Sequence, residues 1–122
     1  METNGEASLM RIFISNTDKF KHAPLYEMIV FAAKRYGLAG ATVLRGTMGF
    51  GSGSVVRSSK FWEITEKLPV VIELVDERQK IEAFAEKIKP WFKKLRYGCM
   101  ITVENVNIVF YKQAERKGYL NN

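Results

Sequence analysis

Two periodicities of apolar residues divide most of the chain into predicted strands and helices. Four stretches are rich in apolar and β-branched residues, as strands are: 9–15, 41–44, 68–76 and 98–111. The first of them, LMRIFIS, predicts a largely buried strand. The third is nearly continuous in β-branched residues and indicates a central strand, with its proline tolerated at the strand start.

A helical period follows Pro24, which fits the first turn of a helix because its missing donor costs nothing there. Gly37 supplies the stop, and Lys34 and Arg35 suit the negative end of the helix dipole. The apolar positions at helical spacing between these signals are Leu25, Met28, Ile29, Ala32, Ala33 and Tyr36. The pattern predicts a first helix over this range.

A second helix is predicted from Glu77, with Asp76 as its cap. Pro90 lacks a donor and crowds the carbonyl four residues back, so a kink or a split is expected between Glu86 and Lys89. The basic run 89–96 is either an anion site or a solvated helix end that satisfies the dipole.

The last strand region changes its alternation at Glu104 and Asn105. A strand with one buried face cannot change parity without an extra residue, so a bulge, or a turn between two short strands, is expected there. The predicted order is β-α-β-β-α-β, a ferredoxin-like α+β sandwich with a long loop between strands 2 and 3. A short C-terminal strand extension completes it.

The predicted loop is the most distinctive stretch of the chain. Five of the nine glycines lie at positions 40, 46, 49, 51 and 53. Gly46, Gly49, Gly51 and Gly53 can offer backbone donors to a phosphate, and Arg45 can add a bidentate contact. The alternative is a flexible connection without a ligand. The length of the predicted loop favours a functional role, since most connections span about 2–6 residues.

Composition adds limits to this interpretation. The 122 residues suit one domain, 1–122, with a core over 9–111 and tails at 1–8 and 113–122. A net charge of +6 favours anionic partners, although surface lysines kept for solubility would give the same excess. The single cysteine, Cys99, excludes an internal disulfide and is expected to be a buried, inert thiol. A cytoplasmic protein is expected, without a cofactor.

Catalytic and metal-binding motifs are absent from the sequence, so an enzyme is not expected. Cys99 and His22 are the sole thiol and imidazole, and neither has a local catalytic or metal-ligand pattern. RNA-recognition domains share the predicted fold, but they need exposed aromatics on two neighbouring strands. Phe13 could stack a base but has no evident aromatic partner, so the fold permits nucleic-acid binding while the residues do not argue for it, and nucleic acid is not the expected partner.

Three segments carry a resemblance to a known family: the start of the first helix at 25–27, GLAGATVLRG with the nearby GFG at 37–51, and LPVVIELVD at 68–76. Together they resemble an uncharacterised bacterial and archaeal family regarded as PII-like, akin to the nitrogen-regulatory PII proteins and to CutA. The likeness covers roughly 9–111.

The resemblance implies a ferredoxin-like protomer in a homotrimer that holds small ligands in clefts between subunits. The stretch 46–67 resembles the T-loop, through which PII proteins engage partners, and 42–46 resembles its base beside the cleft. The binding residues that follow from the glycine pattern and the resemblance together are Thr42, Leu44, Arg45, Gly46, Gly49, Gly51, Gly53 and Arg57. The expected ligand is a small anionic metabolite or nucleotide, an adenine nucleotide among the candidates. The expected partner is a regulated protein such as a membrane transporter.

Two departures from PII proteins limit how far these expectations apply to this chain. The link 93–98, which matches their second phosphate loop, has a single glycine, and the stretch 46–59 has no tyrosine for a modification switch. Two hypotheses therefore stay open. One is a PII-like sensor, in which Arg57 or Lys60 closes over a ligand held by Arg45. The other is a basic module for RNA or for a transporter's cytoplasmic face, without a small ligand.

Overall fold

The fold contains one four-stranded sheet and two helices. The computed structural model describes residues 1, 5–52, 57–58 and 67–115, with backbone only at 57–58. Its helices are α1 (Leu25–Tyr36) and α2 (Arg78–Lys93). Its strands are β1 (Glu6–Ser15), β2 (Lys19–Phe20), β3 (Ala23–Pro24), β4 (Ala41–Arg45), β5 (Met48–Gly49), β6 (Arg57–Ser58), β7 (Pro69–Asp76) and β8 (Met100–Asn107).

The main sheet has the order β4-β7-β1-β8, and all its neighbours are antiparallel. Ile12 in β1 lies opposite Ile72 in β7 and Ile101 in β8, so the even-numbered residues of the two central strands share one face. The strand order and the two helices confirm the predicted ferredoxin-like α+β fold.

Both helices cover the same face of the sheet, and the core lies between these layers. Met10 and Ile72 on the sheet, Ile29 on α1, and Phe84 and Ile88 on α2 are fully buried. Burial of each such side chain stabilises the fold by about 1.5–3 kcal/mol. The other face of the sheet carries no helix among the residues that the structure describes.

The first helix confirms the boundaries predicted from its sequence. Gly37 takes a left-handed conformation (φ 92°), and its N–H donates to the carbonyl oxygens of Ala33 and Lys34. A glycine adopts this conformation without the steric cost that a side chain would bring.

The second helix differs from the prediction at both places where the sequence signalled a break. It runs unbroken through Pro90, so the predicted split is wrong. Pro90 and Glu86 are both exposed, and solvent can satisfy the carbonyl that loses its partner. The predicted N-cap of α2 is wrong too. Glu77 holds the N-cap position, and Asp76 is the last residue of β7.

Strand β8 is one continuous strand, so the predicted bulge or turn at Glu104 and Asn105 is wrong. These residues lie opposite Leu9 and Ser8 of β1, in unbroken register. The parity argument failed because both faces of this edge strand carry apolar residues, Ile101 on the helix side and Val106 on the other. Residues 108–115 form no strand, so the predicted C-terminal extension is not formed in the described part of the chain.

Two short strand pairs were not predicted. β2 and β3 form a hairpin whose turn residues, Lys21 and His22, have φ of 52° and 71°, a region that usually signals glycine or asparagine. β5 pairs with β6, so the loop after β4 contains a short ladder where the sequence showed no strand pattern.

Candidate ligand-binding site

The glycine-rich stretch leaves β4 in close contact with the start of β7. The N–H of Gly46 donates to the carbonyl oxygen of Pro69 at 2.8 Å. A methyl group added at Gly46 would lie 2.7 Å from Cγ of Pro69, and one at Gly49 would lie 3.2 Å from the same atom. A side chain at Gly46 would therefore force a shift, and one at Gly49 would be tight, because the two segments approach closely.

The loop has a near arm, residues 45–52, and a far arm, residues 67–68. Asn16 fixes the far arm. The N–H of Leu68 donates to Oδ1 of Asn16 at 2.9 Å, and the N–H of Asn16 donates to the carbonyl oxygen of Leu68 at 3.0 Å. Asn16 follows directly on β1, the strand that pairs with β7. Both arms of the loop are thus anchored on one rim of the sheet.

A second glycine-containing segment, the link between α2 and β8, meets the near arm of the loop. A methyl group added at Gly98 would lie 3.0 Å from Cβ of Ser52 and 3.2 Å from its carbonyl oxygen. Gly98 is the single glycine of the link that resembles the second phosphate loop of PII proteins. The structure places that glycine in close contact with the backbone of the first loop.

Basic side chains lie along the same rim of the sheet. Nζ of Lys67 lies 3.5 Å from the centre of the Tyr97 ring, and Cζ of Arg96 lies 5.8 Å from it. Arg45, at the end of β4, is exposed and forms no ion pair with any residue that the structure describes. The three cations come from separate stretches of the sequence and converge on the same rim.

The predicted site residues fall into three groups. Arg45, Gly46, Gly49 and Gly51 lie together along the near arm of the loop. Thr42 and Leu44 project from the other face of β4, because side chains alternate along a strand. Gly53 lies outside the described residues, as does the side chain of Arg57, whose backbone pairs with Gly49.

The sequence analysis missed four residues that the structure brings to this site: Ser52, Lys67, Tyr97 and Gly98. The link 93–98 was recognised only through the resemblance, and its contact with Ser52 has no local signal. Lys67 follows a stretch without a regular pattern, so its pairing with Tyr97 depends on tertiary structure alone.

Cys99 lies beside this site and differs from the expected buried thiol, since it is exposed and precedes β8. Partial burial and the negative charge of Asp18 raise the pKa of the Cys99 thiol. A raised pKa keeps the thiol protonated at neutral pH, which is unfavourable for a nucleophile.

The described residues form no metal site and no membrane-spanning helix. No group of His, Cys, Asp and Glu side chains there could hold a metal ion. Neither α1 nor α2 is long and apolar enough to cross a membrane.

Comparison with known proteins assigns the family. The model of the DUF190 family, described as "Uncharacterized ACR, COG1993", matches residues 7–108. The chain belongs to this family. A UPF0166 protein from Aquifex aeolicus (strain VF5) is 37% identical over 84% of this chain and 92% of its own length.

Solved structures with the same fold include PII-like proteins, which confirms the resemblance at the level of the fold. CPII from Thiomonas intermedia K12, in a structure with ADP and bicarbonate bound, superposes on the DUF190 chain with a TM-score of 0.64. Its sequence is 14% identical, and the match covers 84% of this chain and 88% of CPII. A putative PII-like signaling protein from Thermus thermophilus gives a TM-score of 0.60 at 21% identity, covering 85% of this chain and 90% of that one.

Proposed function

We propose that this DUF190 protein is a PII-like sensor that binds a small anionic ligand at the rim where the loop arm meets Gly98. The observation that carries the proposal is the close approach of two glycine-containing segments on the rim that also carries Arg45, Lys67 and Arg96. The N–H of Gly46 is already bonded to Pro69, so the side-chain cations supply the contacts to the ligand. Arginine and lysine bind phosphate through charge-assisted hydrogen bonds, and glycine lets the two segments come close together.

An adenine nucleotide fits this arrangement best. Its phosphates match the cluster of cations, and Tyr97 offers an aromatic ring beside them. The nucleotide and the bicarbonate in the CPII structure support a ligand of this class at a site in this fold. The protein acts as a sensor and not as an enzyme, since the residues at the rim bind charge and offer no activated nucleophile.

A homotrimer is part of the same proposal, with the number of copies taken from the resemblance to PII proteins. The sheet face without helices carries apolar side chains at Phe13, Leu44 and Met100, where a solvated antiparallel sheet would carry polar ones. Val109 and Phe110 are 93% and 81% exposed, which is unusual for two adjacent apolar residues. Neighbouring copies would cover both surfaces and form the clefts that hold the ligand.

The protein is proposed to be a single domain in the cytoplasm, where ligand binding controls a partner through the loop. A ligand that draws Arg45 and Lys67 to its phosphates would change the conformation in which the stretch 46–67 faces a partner. Arg57 and Lys60 within it are cleavage sites for trypsin. We therefore expect the bound ligand to change the rate of tryptic cleavage at these residues.

Isothermal titration calorimetry tests the ligand. We expect heat from at least one of ATP, ADP, AMP and bicarbonate, and a roughly tenfold or greater loss of affinity in Arg45→Ala, since a charge-assisted hydrogen bond contributes about 1.5–3 kcal/mol. Lys34→Ala, at the other end of the molecule, is the matched control and should bind normally. The absence of heat with every ligand, or normal binding by Arg45→Ala, would exclude the site.

The alternative of an RNA-binding sheet is disfavoured by the register. Phe13 lies between Val71 of β7 and Met100 of β8, so the neighbouring strands offer no aromatic ring with which it could stack bases.

A further inference from the structure

Positive charge is concentrated at one end of the molecule. The segments 15–25, 45–52, 67–69 and 93–100 all lie at the end that carries the loop, here called the loop end. These segments hold seven cations and one acid, Asp18, and the first turn of α1 beside them adds a second acid, Glu27. The cations are Lys19, Lys21, Arg45, Lys67, Lys93, Lys94 and Arg96.

This charge is not neutralised within the described structure. Asp18 is 7% exposed, and its carboxylate accepts a hydrogen bond from the N–H of Ser15 at 2.9 Å, so it faces inward. None of the seven cations forms a salt bridge with a residue that the structure describes. A field of this sign attracts anionic partners.

At the opposite end of the molecule, positive and negative charges are nearly equal in number. Its segments 5–8, 34–41, 76–82 and 104–108 hold four cations and five acids. Several of these are paired, as in Arg78 with Glu82 at 2.9 Å and Lys80 with Asp76 at 3.8 Å. The excess charge of the described chain is therefore polarised along the strand direction, which solubility alone does not require.

Apolar side chains accompany the cations at the loop end. Met48 and Phe50 are 59% and 75% exposed, within five residues of Arg45. Large apolar side chains exposed at such a site usually mark an interaction surface. Cations together with exposed apolar residues are the combination that binds the headgroup and acyl boundary of a membrane.

We propose that the loop end docks on the surface of an anionic lipid bilayer, with its lysines and arginines on the headgroups and Met48 and Phe50 in the boundary beneath them. A nucleic acid would also attract the cations, but Met48 has no planar face on which a base can stack. The lipid surface accounts for both classes of side chain. This inference does not depend on the ligand proposed above.

Flotation of the full-length protein with vesicles tests the proposal. We expect binding to phosphatidylcholine vesicles that contain phosphatidylglycerol, no binding to phosphatidylcholine alone, and loss of binding as salt rises. These vesicles contain no protein and no nucleotide, so the result separates lipid binding from both a transporter and the nucleotide site. Absence of binding to the anionic vesicles at low salt would overturn the proposal.

Paired variants locate the contact. Lys19→Gln with Lys21→Asn removes two cations from the loop end and should weaken binding roughly 30-fold at low salt. Asparagine suits position 21 because it tolerates the positive φ there. Lys34→Gln with Arg35→Gln removes the same charge from the opposite end and should bind as the unmodified protein does. Equal weakening by both pairs would show a general charge effect and overturn the proposed orientation.

A third variant and a competitor decide between lipid and nucleic acid. Phe50→Ser leaves the charge unchanged and should weaken vesicle binding, while its thermal unfolding confirms that it stays folded. If the protein ignores the vesicles and instead binds a single-stranded RNA oligomer with the same salt dependence, the surface is a nucleic-acid site and the lipid assignment is wrong.

Discussion

Asp76 joins two turns at the end of the molecule opposite the loop. Its buried carboxylate accepts hydrogen bonds from the N–H of Ala39 at 2.8 Å and of Glu77 at 2.6 Å. Lys80 lies 3.8 Å from the same carboxylate and donates to the carbonyl oxygen of Gly37 at 2.7 Å. One side chain thereby fixes the turn before β4 and the turn before α2.

Replacement of Asp76 should be costly because the two backbone donors lose their acceptor. We expect Asp76→Ala to lower the free energy of unfolding by about 3 kcal/mol, since each unsatisfied buried group costs about 1–3 kcal/mol. Asp76→Asn keeps one carbonyl acceptor and should lose less. Urea denaturation measures both, and equal losses would contradict the assignment of two separate hydrogen bonds.

Two glycines test whether close approach matters at the loop base. Gly46→Ala would place a methyl group 2.7 Å from Cγ of Pro69, and we expect a loss of about 1–3 kcal/mol in the free energy of unfolding. Gly40→Ala meets nothing within 4 Å and should be neutral or stabilise by up to about 1 kcal/mol. Thermal or urea unfolding of the two variants checks the contrast. If Gly46→Ala leaves the free energy of unfolding unchanged, the near arm of the loop is not packed on Pro69.

Single residues also show how far the sequence could predict the site. Arg45 and the glycines were found because they are neighbours in the sequence. Lys67, Tyr97 and Gly98 were not, because their proximity depends on where the strands β7 and β8 begin, which no local pattern encodes.

At the scale of elements, the helices and the four long strands were predictable because the apolar residues of each follow a clear pattern along the sequence. The errors arose where a local rule assumed a particular solvent environment. The parity rule assumed one apolar face on β8, and the proline rule assumed that the carbonyl of Glu86 has no alternative partner. Both faces of β8 carry apolar residues, and Glu86 is exposed.

Pro90 should nevertheless cost α2 some stability. We expect Pro90→Ala to raise the free energy of unfolding by about 1–3 kcal/mol, because it restores the hydrogen bond to the carbonyl of Glu86 and removes the clash with the preceding turn. Lys87→Ala, also exposed on α2, is the control and should change little. Urea denaturation compares the two. A destabilised Pro90→Ala would indicate that the proline ring makes contacts that outweigh its cost.

At the scale of the whole molecule, the open sheet face combines apolar side chains with a compact charge cluster. Arg11 in β1 donates to Glu73 of β7 at 3.0 Å and to Glu104 of β8 at 2.6 Å. These hydrogen bonds raise the pKa of the Arg11 guanidinium. Charges that are already paired lower the cost of covering this face with another copy.

Assembly through this face predicts a specific variant effect. Phe13→Asp should give a monomer, because it places an uncompensated carboxylate among the apolar side chains that neighbouring copies cover. Phe50→Ser removes an exposed ring at the loop end and should leave the assembly intact. Native mass spectrometry gives the subunit count directly. If the unmodified protein is a monomer, or if Phe13→Asp assembles normally, the open face is not the interface.

The anchors at the two arms of the loop have a consequence for how such proteins diversify. Gly46 bonds to Pro69, and Leu68 bonds to Asn16, so hydrogen bonds at its two ends hold the loop on the sheet. The cost of closing a longer chain grows only slowly with its length. We therefore expect the segment between the anchors to tolerate replacement by one of another length or sequence, and with it a change of recognition, while the anchored sheet stays folded.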